Sequence, residues 1–142
     1  MGKTKAAVIG ASGLVGQALM RVLESNQYEV AGTYGTRPLP GLTPLNLGDL
    51  NGVRAYLSRL KPQVVFLTAA ITNVDYCEDH PDETLRINTE GARRVAEEVS
   101  RLGAKLVYYS TDYIFDGGSG PYDEEAKASP VSVYGKSKYE AE

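Results

Sequence analysis

What the 142-residue chain lacks narrows its chemistry before any motif is read. One cysteine, Cys77, leaves no internal disulfide and fits a reducing compartment. One histidine, His80, has no cysteine or second histidine at ligand spacing, so no metal site is expected and His80 reads as a loop or helix-start residue. Positive charge is not in excess: the formal net charge is −3, which removes the electrostatic reason to expect nucleic acid or an anionic membrane as partner. No apolar run approaches the roughly 18–20 residues of a membrane helix. The start, MGKTKAAVIG, superficially resembles a secretion signal, but its apolar run is only Ala6–Ile9, too short for a signal core. Ala6 also stands where myristoylation needs Ser or Thr. With 42% hydrophobic and 23% charged residues, the expectation is one soluble, cytoplasmic globular domain, residues 1–142.

What is present alternates between apolar runs and helical periods. Lys5–Gly10 reads as a buried strand and Leu14–Ser25 as a helix with Val15, Ala18, Leu19 and Val22 on one face. Tyr28–Thr33 is a second strand; the stretch Gly35–Pro44, with its prolines and glycines, is a loop; Leu45–Leu47 is a short third strand. Asp49 caps a helix carrying Val53, Tyr56, Leu57 and Leu60 that stops before Pro62. Val64–Ala70 has the continuous apolar pattern of a parallel strand covered on both faces. Pro81–Leu102 is helical and ends at Gly103, Lys105–Tyr109 is the next strand, Ser110–Ser129 a long loop, and a last helix begins near Pro130–Ser132. Strand–helix alternation at this spacing predicts a doubly wound α/β domain, a parallel sheet with helices on both faces. Ligands of such sheets bind beyond the carboxyl ends of the strands.

The first strand runs into GASGLVG. Gly10 permits a tight turn, Gly13 a close backbone approach to a pyrophosphate, and Gly16 close helix packing, with helix N–H groups facing the phosphates. Such triplets also arise by chance, and a plain packing turn is the alternative; its place in the first strand–helix turn favours a dinucleotide-binding, Rossmann-type reading. An acidic residue after the second strand would hold the ribose of NAD, but the sequence there is Gly32, Thr33, Tyr34, Gly35, Thr36 and Arg37. Arg37 can pair with a 2′-phosphate, so NADP is favoured over NAD. The acidic residues Asp75, Glu78, Asp79, Asp82 and Glu83 read as helix N-terminal charges rather than cation ligands. At the far end Tyr134 and Lys138 are four apart on one helix face, where a lysine cation can lower a tyrosine pKa and suit it to move a proton. An exposed Tyr–Lys pair is the alternative.

Six motifs occur in order: GASGLVG, AAITNVDYCE (Ala69–Glu78), RINTEGA (Arg86–Ala92), STDYIFDG (Ser110–Gly117), PYDEE (Pro121–Glu125) and PxxxYGKSK (Pro130–Lys138). Together they resemble the dTDP-4-dehydrorhamnose reductase family of extended short-chain dehydrogenase/reductases across residues 5–142. Epimerases and dehydratases of that superfamily usually read SSxxVYG where this chain has STDYIFDG. The resemblance implies that Thr111 orients a substrate carbonyl, that Tyr134 donates the proton, and that Lys138 tunes it and holds the nicotinamide ribose. It places Gly13, Leu14 and Val15 at the pyrophosphate and Asn46 and Leu47 at the adenine; Gly10, Ser12, Gly16, Tyr34 and Arg37 are expected among the other cofactor contacts. Ala69, Ala70, Ile71 and Thr72 follow the third long strand, Tyr109 lies near the cofactor, and Asp112 touches a sugar hydroxyl. Asn46 departs from the Asp that many members carry, and Asn88 reads as a structural helix residue.

The implied activity is NADPH-dependent reduction of a nucleotide-linked 4-keto-6-deoxy sugar. A regulatory subunit resembling that of methionine adenosyltransferase stays open, as does a nucleotide-sugar epimerase or dehydratase. Family members continue past the Tyr–Lys helix into a smaller lobe that grips the sugar, so the expectation is that these residues are the cofactor part of a longer protein. Lys105–Tyr109 would then be an unpaired apolar edge, prone to self-association, a homodimer in the simplest case.

Overall fold

The computed structural model describes residues 2–142. Its five strands are β1 (Lys5–Ile9), β2 (Glu29–Tyr34), β3 (Thr43–Pro44), β4 (Val64–Leu67) and β5 (Lys105–Tyr108). They form one wholly parallel sheet in the order β3-β2-β1-β4-β5. The helices are α1 (Leu14–Ser25), α2 (Leu50–Leu60), α3 (Val74–Asp79), α4 (Pro81–Thr84), a π-helical turn Leu85–Gly91, α5 (Ala92–Arg101) and α6 (Val133–Glu140). A 3₁₀ turn, Asp112–Ile114, follows β5. The doubly wound architecture expected from the sequence is therefore present. None of these helices is long and apolar enough to cross a membrane.

β1 divides the core by its period of two. Ala7 and Ile9 face α2 and α5, packing with Val53, Leu57, Val65, Leu67, Val95 and Val99. Ala6 and Val8 face α1, packing with Ala11 and Leu23. Asp49 caps α2 as expected, accepting from Gly52 N at 3.0 Å. Lys61 closes that helix with a left-handed φ of 50°, and Gly103 ends α5 at φ 66°.

Three expectations need correction. The buried face of α1 is Gly16, Leu19, Met20 and Leu23, whereas Val15, Ala18 and Val22 face outward, Val22 being 56% exposed. Apolar residues line both sides of this helix, so their period could not choose between them. Gly16 does: a Cβ there would collide with the Gly10 carbonyl and lie 2.7 Å from Ala11 Cα, so only glycine lets the helix settle on the turn. The third strand is Thr43–Pro44 rather than Leu45–Leu47, although Leu45 N still donates to Tyr34 O at 2.9 Å. The helix expected over Pro81–Leu102 is interrupted by the π-helical turn, and α3 was not foreseen.

Replacing Gly16 with Ala should force α1 off the turn and destabilise the chain by about 1–3 kcal/mol. A urea unfolding midpoint equal to that of the parent would contradict this packing.

Candidate functional site

The glycine turn is held from both neighbouring strands. From β2, Thr33 Oγ1 accepts from Gly10 N at 3.3 Å and Thr33 O accepts from Ala11 N at 2.7 Å. From the end of β4, Thr68 Oγ1 lies 3.0 Å from Ile9 O and 3.1 Å from Gly10 O, and donates to them. Gly10 has φ 96°, and a Cβ would lie 2.6 Å from Ala69 N. Gly13 is the N-cap of α1, where no side chain caps the helix and no acidic residue occupies the first turn. The first N–H groups of a twelve-residue helix are thus left for an anion.

Above this turn a groove of about 710 Å³ runs along the carboxyl edge of the sheet. Of the residues expected at a cofactor, Gly10, Ser12, Gly13, Leu14, Val15, Gly16, Asn46, Leu47, Ala69, Ala70, Ile71 and Thr72 all line it. Tyr34 is half-buried at the end of β2 and Arg37 is exposed on the next loop; neither lines the groove. Sequence reasoning missed Gly35, Thr36, Leu45, Thr68, Tyr76, Glu83 and Ile87 in the walls. Thr36 and Leu45 were within reach of it, being neighbours of Arg37 and Asn46. Tyr76 was not, because α3 had no recognised place, and Glu83 was read only as a charge at a helix N-terminus. The groove suits an elongated ligand with a diphosphate over the start of α1, and a dinucleotide fits that description.

Thr111, Asp112, Tyr109, Tyr134 and Lys138 form a second cluster beyond β5. Ser132 caps α6, accepting from Gly135 N at 3.0 Å, and Glu78 Oε1 accepts from Val133 N at 2.7 Å. Of the acidic cluster, Glu78 therefore serves α6, while Asp75 lies in the first turn of α3 and Asp82 and Glu83 in that of α4. A Cβ on Gly135 would strike the Tyr113 carbonyl, so this glycine lets α6 press onto the 3₁₀ turn. The Tyr113 and Tyr134 rings meet edge to face with centroids 5.5 Å apart. Thr111 Oγ1 accepts from Tyr113 N at 3.2 Å, and the exposed Asp112 follows.

Lys138, 5% exposed, donates from Nζ to Tyr109 O at 2.7 Å and sits 4.2 Å above the centre of the Tyr108 ring. No hydrogen bond joins it to the Tyr134 hydroxyl among the described residues. Burial pushes the Lys138 ammonium down to about 8, partly opposed by the Glu142 carboxylate. Burial also raises the Tyr108 phenol, with Glu142 and Tyr134 adding to the effect.

Asn88, in the π-helical turn, ties the two regions together. Its Oδ1 accepts from Ile71 N at 2.8 Å, while its Nδ2 donates to Ile71 O at 2.9 Å and to Ser137 Oγ at 3.1 Å. Ser137 Oγ in turn donates to Tyr134 O at 2.8 Å. The groove and the Tyr–Lys helix are thus one side chain apart, and Asn88 has the structural role expected of it.

Comparison with known proteins agrees with this geometry. The family described as RmlD substrate binding domain matches residues 4–142. Methionine adenosyltransferase 2 subunit beta of Bos taurus is 36% identical over 135 residues, covering 95% of this chain and 40% of that protein. The spore coat polysaccharide biosynthesis protein SpsK of Bacillus subtilis (strain 168) is 40% identical over 136 residues, covering 95% of this chain and 46% of that protein. The solved dTDP-4-dehydrorhamnose reductase of Bacillus anthracis str. Ames, in complex with NADP, superimposes with a TM-score of 0.88 at 33% identity. That match covers 99% of this chain and 48% of the reductase. The chain thus spans less than half the length of each of these three proteins.

With its amine pushed down to about 8 from the ordinary 10.5, folded Lys138 holds fewer protons than the unfolded chain between those values. Stability contributed by this group therefore rises with pH through that window, and below it the buried ammonium is a cost. Lys138→Met should stabilise the chain more at pH 7 than at pH 10 in urea unfolding; a difference independent of pH would contradict the burial.

Proposed function

The chain belongs to the RmlD substrate binding domain family, and from that premise we propose that it is the dinucleotide-binding part of an NADP-dependent reductase. The substrate in this reading is a nucleotide-linked 4-keto-6-deoxy sugar, held by a lobe outside residues 1–142. The observation that carries the proposal is the joint burial of Tyr134 and Lys138 on α6, a helix joined to Ile71 in the groove through the Asn88 side chain and Ser137. A dinucleotide supplies hydride from its reduced nicotinamide when bound. The chain supplies the rest. The N–H groups of Leu14 and Val15 hold the pyrophosphate, while Gly13, whose own N–H donates to Gly10 O at 3.1 Å, lets it approach the backbone. Tyr134 gives its phenolic proton to the carbonyl oxygen as that oxygen gains charge, with the Thr111 hydroxyl orienting it. Lys138, with one N–H on Tyr109 O, keeps two donors for a ribose hydroxyl. Asp112, exposed beside Thr111, accepts from a sugar hydroxyl.

Preference for NADP over NAD is supported by Gly35 and Thr36 in the groove wall, where no carboxylate follows β2, and by Arg37 next to Thr36. The NADP carried by the Bacillus anthracis reductase agrees with it. A second reading, a non-catalytic NADP-binding regulatory subunit, is favoured by the 36% identity to methionine adenosyltransferase 2 subunit beta.

Two experiments test the chemistry and the cofactor of this reading. In the longer protein, Tyr134→Phe should leave NADPH binding intact while turnover of a dTDP-linked 4-keto sugar falls about 10²–10⁴-fold. Full activity in that variant would remove Tyr134 as the proton donor, and a parent that binds NADPH but turns over no such sugar would favour the regulatory reading. Calorimetric titration should find NADPH tighter than NADH, with Arg37→Ala erasing most of the difference and leaving NADH affinity unchanged; an NADH preference in the parent would overturn the cofactor assignment.

A further inference from the structure

The groove is lined by one charged side chain, and it is acidic. Glu83, at the start of the long helical segment that continues through the π-helical turn, stands in its wall, and no lysine or arginine lines it among the described residues. Tyr76 occupies the same wall and donates its hydroxyl proton to Glu83 Oε2 at 2.7 Å. Tyr76 is itself held: its N–H donates to Asn73 Oδ1 at 2.9 Å, and its ring stacks on the His80 imidazole with centroids 4.0 Å and planes 12° apart. The carboxylate is therefore held in place from one side. An ionised carboxylate only accepts hydrogen bonds, and Oε2 already has its donor, which leaves Oε1 for a ligand. The end of β2, where the acid that binds a ribose would stand, offers only Gly35 and Thr36 to the groove.

We propose that Glu83, held by Tyr76, is the ribose-binding acid of this groove: it accepts a hydrogen bond from a ribose hydroxyl of the bound dinucleotide, from the helical wall and not from β2. The proposal rests on reading the groove as a dinucleotide site. A hydroxyl is the ligand group that fits, because a carboxylate facing a phosphate would repel it, and the diphosphate is already provided for by the uncapped start of α1.

The test is calorimetric titration of NADPH and NADH into the parent chain, Glu83→Gln and Tyr76→Phe. Glu83→Gln keeps shape and removes charge, and it should weaken both dinucleotides about tenfold or more, the effect of a hydrogen bond to an ionised group. Tyr76→Phe, which only releases Oε2, should weaken both by a smaller factor, about threefold. Because both side chains border solvent, the melting temperature without ligand should not move. A parent that binds while Glu83→Gln binds equally well or more tightly would overturn the assignment alone; tighter binding would mean that the carboxylate faces phosphate. A parent that binds neither dinucleotide would overturn this assignment together with the cofactor reading on which it rests.

Discussion

The three hydrogen bonds of Asn88 hold the site together. The side chain is 2% exposed and its amide is fully engaged, accepting and donating at Ile71 and donating to Ser137. Through Ile71 it fixes the loop after β4 that forms the groove's wall, and through Ser137 it fixes the turn of α6 that carries Tyr134 and Lys138. A buried amide satisfied in this way tolerates little displacement, because losing a bond to Ile71 would leave a backbone group without that partner and losing the bond to Ser137 would leave a buried amide proton without one. The π-helical turn around it is part of the same arrangement, since such turns interrupt an α-helix where a side chain must be aimed differently. Gly91, at its end, has no room for a Cβ, which would come within 2.8 Å of Leu47 Cβ, so the same segment also closes onto the groove wall at Leu47.

Charge is distributed sparingly around this frame. The groove presents backbone N–H groups and a helix start to the ligand and no cationic side chain, so anion binding there depends on geometry more than on net charge. The one buried cation of the second cluster, Lys138, is compensated by a carbonyl, an aromatic face and a nearby carboxylate. Elsewhere Glu98 of α5, nearly buried, is shared by Arg54, Arg94 and Arg101, with its shortest contact 2.8 Å to Arg101 Nε. That network fastens α2 to α5 on the face of the sheet that carries Asn88.

Much of this was legible in the sequence, and the failures have physical causes. Strand–helix alternation, the glycine turn, the Asp49 cap and the bounds of α1 and β5 follow from local chemistry and were read within a residue or two. The buried face of α1 did not follow, because Val15, Ala18 and Val22 are as apolar as Leu19, Met20 and Leu23, and only the approach of Gly16 to Gly10 decides the rotation. The π-helical turn leaves no mark in a period of 3.6. Glu83 was read as a charge at a helix N-terminus, and its place beside Tyr76 in the groove depends on α3, which the sequence pattern did not reveal. The Tyr134–Lys138 spacing was read correctly as one helix face, but the partner of Lys138, the backbone carbonyl of Tyr109, carries no side-chain signal.

The central claim is that the groove over the glycine turn receives a dinucleotide and communicates with α6 through Asn88. An NMR titration of the isotopically labelled chain with NADPH tests it most directly. The account predicts that amide shifts concentrate at Gly13–Val15 and Ala70–Thr72 and extend to Asn88 and Ser137. Saturating NADPH that leaves those amides unmoved, or that moves only residues outside the groove, would contradict it.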